Sequence, residues 1–148
     1  MILDKFLMFD EKVALTATRN STNVIDLFRI GEDIGRGEPL YWFFIVNTDL
    51  DSAGEAATLQ IALVTDDNAA LTTPAILQDM PAVLTEAALT TALPYTLYRH
   101  VPVVPALERY LGLVYTVAGE NFTSGTISAG ITHDIQAWKA YASNFVSA

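Results

Sequence analysis

Residues 40–46 read Leu40-Tyr41-Trp42-Phe43-Phe44-Ile45-Val46, and they do not fit a strand with one wet face. Successive side chains of a strand point to opposite faces, so a half-exposed strand alternates apolar and polar residues. Here both faces are apolar, and the large aromatics Trp42, Phe43 and Phe44 stand side by side. In one phase Tyr41, Phe43 and Ile45 face the core while Leu40, Trp42, Phe44 and Val46 face outward; in the other phase the sets exchange. Aromatics bury about 150–250 Å² each, so either outward set reaches the few hundred Å² that monomers rarely leave open. Covering roughly 500 Å² at about 25 cal/mol per Å² stabilises by on the order of 10 kcal/mol before association costs. The segment therefore demands a cover, and the candidates are the chain's own C-terminal tail, a second copy, another protein or a ligand.

Working outward, the rest of the chain reads as short alternating strands between turn signals. Residues 12–18 place Val13, Leu15 and Ala17 on one side, and Arg19-Asn20-Ser21 is a turn. Residues 23–28 form a second short strand, and Pro39 suits the first position of the aromatic strand, where no N–H is needed. Residues 49–54 turn the chain. Residues 58–65 then set Leu59, Ile61 and Leu63 against Thr58, Gln60 and Ala62. Residues 74–80 read as an edge strand, and the alanine-rich residues 85–91 as a helical turn or loop. Extended structure resumes over 94–101, with Pro102 and Pro105 marking a bend. Residues 109–117 and 124–135 complete a set of eight strands without the crossover helices of a parallel sheet. The expected fold is all-β: one eight-stranded antiparallel β-sandwich, a jelly roll, spanning residues 1–136. Residues 137–148 form a tail in which Trp138, Tyr141 and Phe145 recur at helical spacing, so a short amphipathic helix is expected there.

Bulk composition narrows the function classes. A chain of 148 residues, 51% hydrophobic, carries enough apolar mass for a two-layer core without metals or disulfides. It has no cysteine, which removes thiolate chemistry and cysteine-ligated zinc. The net charge of −9 argues against nucleic acid, whose phosphates demand clustered Lys and Arg. No basic start precedes a long apolar run and no stretch of about 18 apolar residues occurs, so neither an export signal nor a membrane span is expected. The chain is expected to be made in a host cytoplasm.

The search for chemistry yields little. His133 and Asp134 are neighbours on an expected strand and point to opposite faces, so they cannot pair as base and orienter. His100 has no carboxylate or second histidine nearby in sequence. Asp49 with Asp51, and Asp66 with Asp67 and Asn68, fit turns better than the spaced loop that ligates calcium. Residues 31–37 (GEDIGRG) lack the Gly-Lys-Ser/Thr ending of a phosphate loop, and no Gly-x-Ser-x-Gly elbow occurs. No catalytic residue, metal ligand, cofactor or small-molecule substrate is assigned. What remains is a docking surface, with Leu40, Trp42, Phe44, Val46, Trp138, Tyr141 and Phe145 as the candidate partner interface. The alternative is a carbohydrate-binding sandwich module in which Tyr41, Trp42 or Trp138 stacks on sugar rings. A small sandwich hydrolase ranks third.

Five segments carry a family resemblance: MILDKF (1–6), STNVIDL (21–27), IGRGEPLY (34–41), RYLGLVYTV (109–117) and FTSGTISAGI (122–131). In this order the chain resembles the capsid cement, or decoration, proteins of tailed phages, of the type found in the Bordetella short-tailed phage. The resemblance implies a small jelly roll on the outside of an icosahedral shell, bound as a homodimer to major capsid proteins of the HK97 type. It implies clamping of neighbouring capsomers, with no catalytic residue and no cofactor. It marks no individual contact residue, and it does not extend to residues 136–148.

Overall fold

The computed structural model describes residues 5–28, 40–80, 82–91, 96–101 and 107–132. A single 3-10 turn, Lys5–Leu7, leads into β1 (Met8–Ala14), β2 (Arg19–Asn20), β3 (Ile25–Asp26), β4 (Tyr41–Ser52) and β5 (Thr58–Asp66). There follow β6 (Ala75–Asp79), β7 (Leu84–Thr85), the 3-10 turn Glu86–Ala88, β8 (Thr96–His100), β9 (Tyr110–Ala118) and β10 (Phe122–Thr132). The expected tail 137–148, the loop 31–37 and His133 lie outside the described residues.

The strands form two sheets, ordered β1-β10-β4-β8 and β2-β9-β5-β6, with β3 also on β9 and β7 also on β5. Fragments β2 and β3 lie along one edge of β9, and β6 and β7 along the free edge of β5. Each sheet thus has four lanes, and the pairings nest: β1 with β10, β2/β3 with β9, β4 with β8, β5 with β6/β7. A long antiparallel hairpin rolled so that alternate pairs fall in opposite sheets has this order. It is the jelly roll that the spacing of strands predicts.

The core lies between the sheets. Leu59, Ile61 and Leu63 of β5 and Leu111, Leu113 and Tyr115 of β9 are all fully buried, as the alternation of both segments dictates. From the other sheet come Phe9, Trp42, Phe44, Ile127, Ala129 and Ile131. The Phe44 and Tyr115 rings meet across the layers, with centroids 6.2 Å apart and planes tilted by 46°. That tilted approach is one of the arrangements aromatic quadrupoles favour.

Several boundaries differ from expectation: Arg19 and Asn20, read as a turn, pair with Tyr115 and Val114 of β9 as β2, and the first strand ends at Ala14 instead of continuing to Thr18. Strand β4 continues to Ser52, through the Asp49-Leu50-Asp51 stretch read as a turn. Leu50 is buried in the core and its N–H donates to the Leu89 carbonyl, while the Asp49 carboxylate accepts the Thr91 N–H. Asp49 therefore ties down a neighbouring segment instead of turning its own. The first strand begins at Met8, four residues early, and Lys12 adopts a left-handed φ of 51° within it. That residue sits where the β1–β10 register slips, a bulge that turns the chain without ending the pairing.

Candidate interaction surfaces

Strand β4 resolves into a definite phase. Leu40, Trp42, Phe44 and Val46 point into the core and none is more than 6% exposed. The expectation that they form an outward interface is overturned. The reason lies in the partner strand: Ile127, Ala129 and Ile131 of β10 pair with Val46, Phe44 and Trp42, and directly opposed residues share a face. Trp42 also needs a partner for its indole N–H, which donates to Gln78 Oε1 at 2.8 Å. Gln78 belongs to β6 of the other sheet, so this bond joins the layers.

The reverse set, Tyr41, Phe43 and Ile45, lies on the outer face opposite Thr132, Gly130 and Ser128. Phe43 is nevertheless fully buried, and Tyr41 and Ile45 are half-buried. Gly130 explains part of this. A Cβ there would stand 2.8 Å from the Leu7 carbonyl oxygen, 2.9 Å from Met8 Sδ and 3.1 Å from Phe43 Cε1. The missing side chain lets Leu7 and Met8 lie over the sheet beside the Phe43 ring. Neither phase of the aromatic strand is an open docking face. Of the remaining interface candidates, Trp138, Tyr141 and Phe145 lie outside the described residues.

Among the described residues, an apolar cluster with an open trough beside it lies on the other sheet. On its outer face Ala62 and Val64 of β5 pack with Leu71, Val24 and Val114 in a second, smaller cluster. Gly112 admits Leu71, whose Cδ1 would be 2.5 Å from a Cβ at that position. The loop holding Leu71 is fixed by its acids and amides. Asp66 accepts the N–H groups of Asn68 (3.0 Å) and Thr73 (2.9 Å), and Asn68 Oδ1 accepts that of Ala70 (2.9 Å). These bonds hold the Asp66 carboxyl below the usual carboxylate range, the Asn68 N–H contributing most. The acidic turn weighed for calcium thus uses its oxygens on local backbone. Beside the cluster runs a shallow trough of about 400 Å³, with Ala62, Val64, Pro74, Ile76 and Val114 as its apolar wall. Gln60, Asp79 and Thr116 supply its polar lining. Ile76 stands 62% exposed in mid-strand.

Two polar clusters lie elsewhere among the described residues. Asp10, 2% exposed, accepts from Arg19 Nη1 (3.1 Å), Thr22 N–H (3.1 Å), Thr22 Oγ1 (2.6 Å) and the Tyr115 hydroxyl (2.7 Å). The Arg19 guanidinium lies 5.0 Å from the centroid of the Tyr115 ring. At one end of the sandwich the Ser52 hydroxyl reaches Glu120 Oε1 at 2.6 Å and also contacts Glu86 Oε2. With one proton to give, it bridges the turns after β4, β7 and β9. Glu120 Oε1 further accepts the N–H groups of Gly54 (2.8 Å) and Ala56 (3.0 Å). Among the described residues, no three His, Asp or Glu side chains converge as a metal-binding group. His100 is placed on β8 opposite Tyr41.

The trough escaped sequence reading because Ala62 and Val64 fall on the nominally polar side of β5. Their apolar character, repeated by Val114 on β9 and Ile76 on β6, was the available signal.

Fold and surfaces define a small jelly-roll β-sandwich whose described polar clusters hold its own loops and whose six-stranded sheet carries an apolar trough on its outer face. A family model described as Bbp16 matches residues 9–131, nearly the whole sandwich from β1 to β10. The chain belongs to the Bbp16 family, which is named after a Bordetella phage protein. No curated protein matches the sequence.

Proposed function

We propose that the chain is a structural virion protein that binds the outside of a phage capsid and cements neighbouring capsomers. The observation that carries this reading is that the family match coincides with the sandwich itself. Whatever the family does is a property of this body. Segments 21–27, 109–117 and 122–131 of the resemblance fall in this body and point to the cement proteins of tailed phages. The mechanism is area: stable interfaces bury about 800 Å² per partner, and many copies astride the seams raise the work of separating capsomers. In this reading the partner is a major capsid protein of the HK97 type, the chain acts as a homodimer, and it needs neither cofactor nor catalytic residue. The carbohydrate-binding alternative loses Trp42 as a stacking platform, because that ring is fully buried.

The test is add-back to shells assembled without the protein. The expected result is retention of the chain on the shells and a higher rupture temperature under osmotic shock or heat. A chain that stays monomeric and is not retained on such shells ends the proposal.

A further inference from the structure

We propose that the chain docks through the outer face of the six-stranded sheet, and that the occupant of the trough beside Ile76 is a segment of the shell subunit with an apolar anchor flanked by Lys or Arg. This rests on the cement reading above and names its contact surface. A lone exposed apolar residue needs no explanation. Ile76 is not alone: it forms one wall of a concavity whose floor, Ala62 and Val64, is already buried. An inserted side chain would therefore meet apolar atoms on several sides, the setting in which interface anchors gain most.

Charge selects the occupant. Asp79 lines the trough. Exposed Asp67 follows one end of β5, with Glu108 donating its N–H to Thr65 there at 2.9 Å, and exposed Glu55 precedes the other end. The cations whose side chains are described lie elsewhere. Arg19 is turned inward on Asp10, Arg109 is paired with Asp26 at 2.8 Å, and Lys5 and Lys12 precede or belong to β1 of the other sheet. One carboxylate inside the trough and further exposed acids beyond the ends of β5, with no cation among the described residues facing it, complement a basic-flanked anchor. A second copy seated on the same face would bring Asp79 against an equally acidic surface, and like charges in apposition oppose association.

The experiment uses the full chain with Ile76→Glu, Asp79→Lys and Ile76→Cys, the last giving the only thiol in a cysteine-free sequence. The probe is shells of the encoding phage lacking the protein. Wild type is expected to be retained and to weaken as salt rises. Ile76→Glu should weaken retention about tenfold or more with an unchanged melting temperature, and Asp79→Lys should weaken it less. The thiol introduced by Ile76→Cys should label rapidly in the free chain and be protected on shells. Retention of Ile76→Glu equal to wild type overturns the docking surface and leaves the cement reading standing. Failure of wild type to bind overturns both. Protection of the thiol in free monomer, or in a free dimer that Ile76→Glu dissociates, overturns the assigned occupant in favour of the chain's own tail or a second copy.

Discussion

The Tyr115 hydroxyl donates to Asp10 Oδ2 at 2.7 Å across the interior of the sandwich, binding β9 of one sheet to β1 of the other. Both groups are buried, so neither can turn to water when the bond is removed. Tyr115→Phe keeps the ring and its packing on Phe44 but deprives Asp10 of a donor; a cost of about 1–3 kcal/mol is expected. Asp10→Ala strands Arg19 and should cost more, about 3–5 kcal/mol. Urea denaturation of the two variants orders them. Equal stability of Tyr115→Phe and wild type would show the bond to be unformed in solution.

The same tyrosine should titrate late. Burial, with the Asp10 carboxylate second, pushes its hydroxyl well above the ordinary value of 10.0. A phenol whose folded pKa is raised adds no penalty below the unfolded value; stability is then lost as pH rises from there toward the folded one. Ultraviolet titration should show one of the six tyrosines ionising only with unfolding. In Tyr115→Phe that last step should vanish.

Much of the sandwich was legible because its strands carry information on one face. The alternation at Leu59, Ile61 and Leu63, and at Leu111, Leu113 and Tyr115, determines which side is buried. The phase of β4 was not legible from β4, since a strand apolar on both sides has no period to read. It was latent in β10, where Ile127, Ala129 and Ile131 alternate with Thr126, Ser128 and Gly130 and impose their phase across the ladder. Asp10 offered no local sign of burial. It stands beside Glu11 and Lys12, and its four donors come from Arg19, Thr22 and Tyr115, up to 105 residues away. The trough was hidden for a related reason: it is assembled from two or three residues on each of three strands, together with Pro74, each unremarkable alone.

Acid should loosen the end of the sandwich held by Ser52. Its hydroxyl, shared between them, is the largest influence lowering Glu86 and Glu120 below the ordinary 4.5; the Ala56 and Gly54 N–H groups add to the effect on Glu120, while the Glu120 charge opposes it at Glu86. Carboxyls depressed in the fold stabilise it above their unfolded value and lose that contribution as pH falls through the folded one. Stability should therefore decline below about pH 4.5, and Glu120→Gln should flatten that decline while lowering stability at neutral pH. Melting curves between neutral pH and the acid limb test this. An acid limb identical to wild type would place the sensitivity elsewhere.

Trp42 gives the sharpest check on the phase of the aromatic strand. If that strand faced a partner, Trp42→Ala would weaken assembly and spare the fold. Fully buried and bonded to Gln78, it should instead cost about 3–5 kcal/mol of folding stability, and Gln78→Ala, which orphans the indole N–H, about 1–3 kcal/mol. The chain has two tryptophans, so Trp138→Phe leaves Trp42 as the only indole emitter. Its emission should be blue-shifted and resist acrylamide. A red-shifted, readily quenched spectrum from that variant would reverse the phase of β4, and with it the assignment of the open apolar face to the opposite sheet.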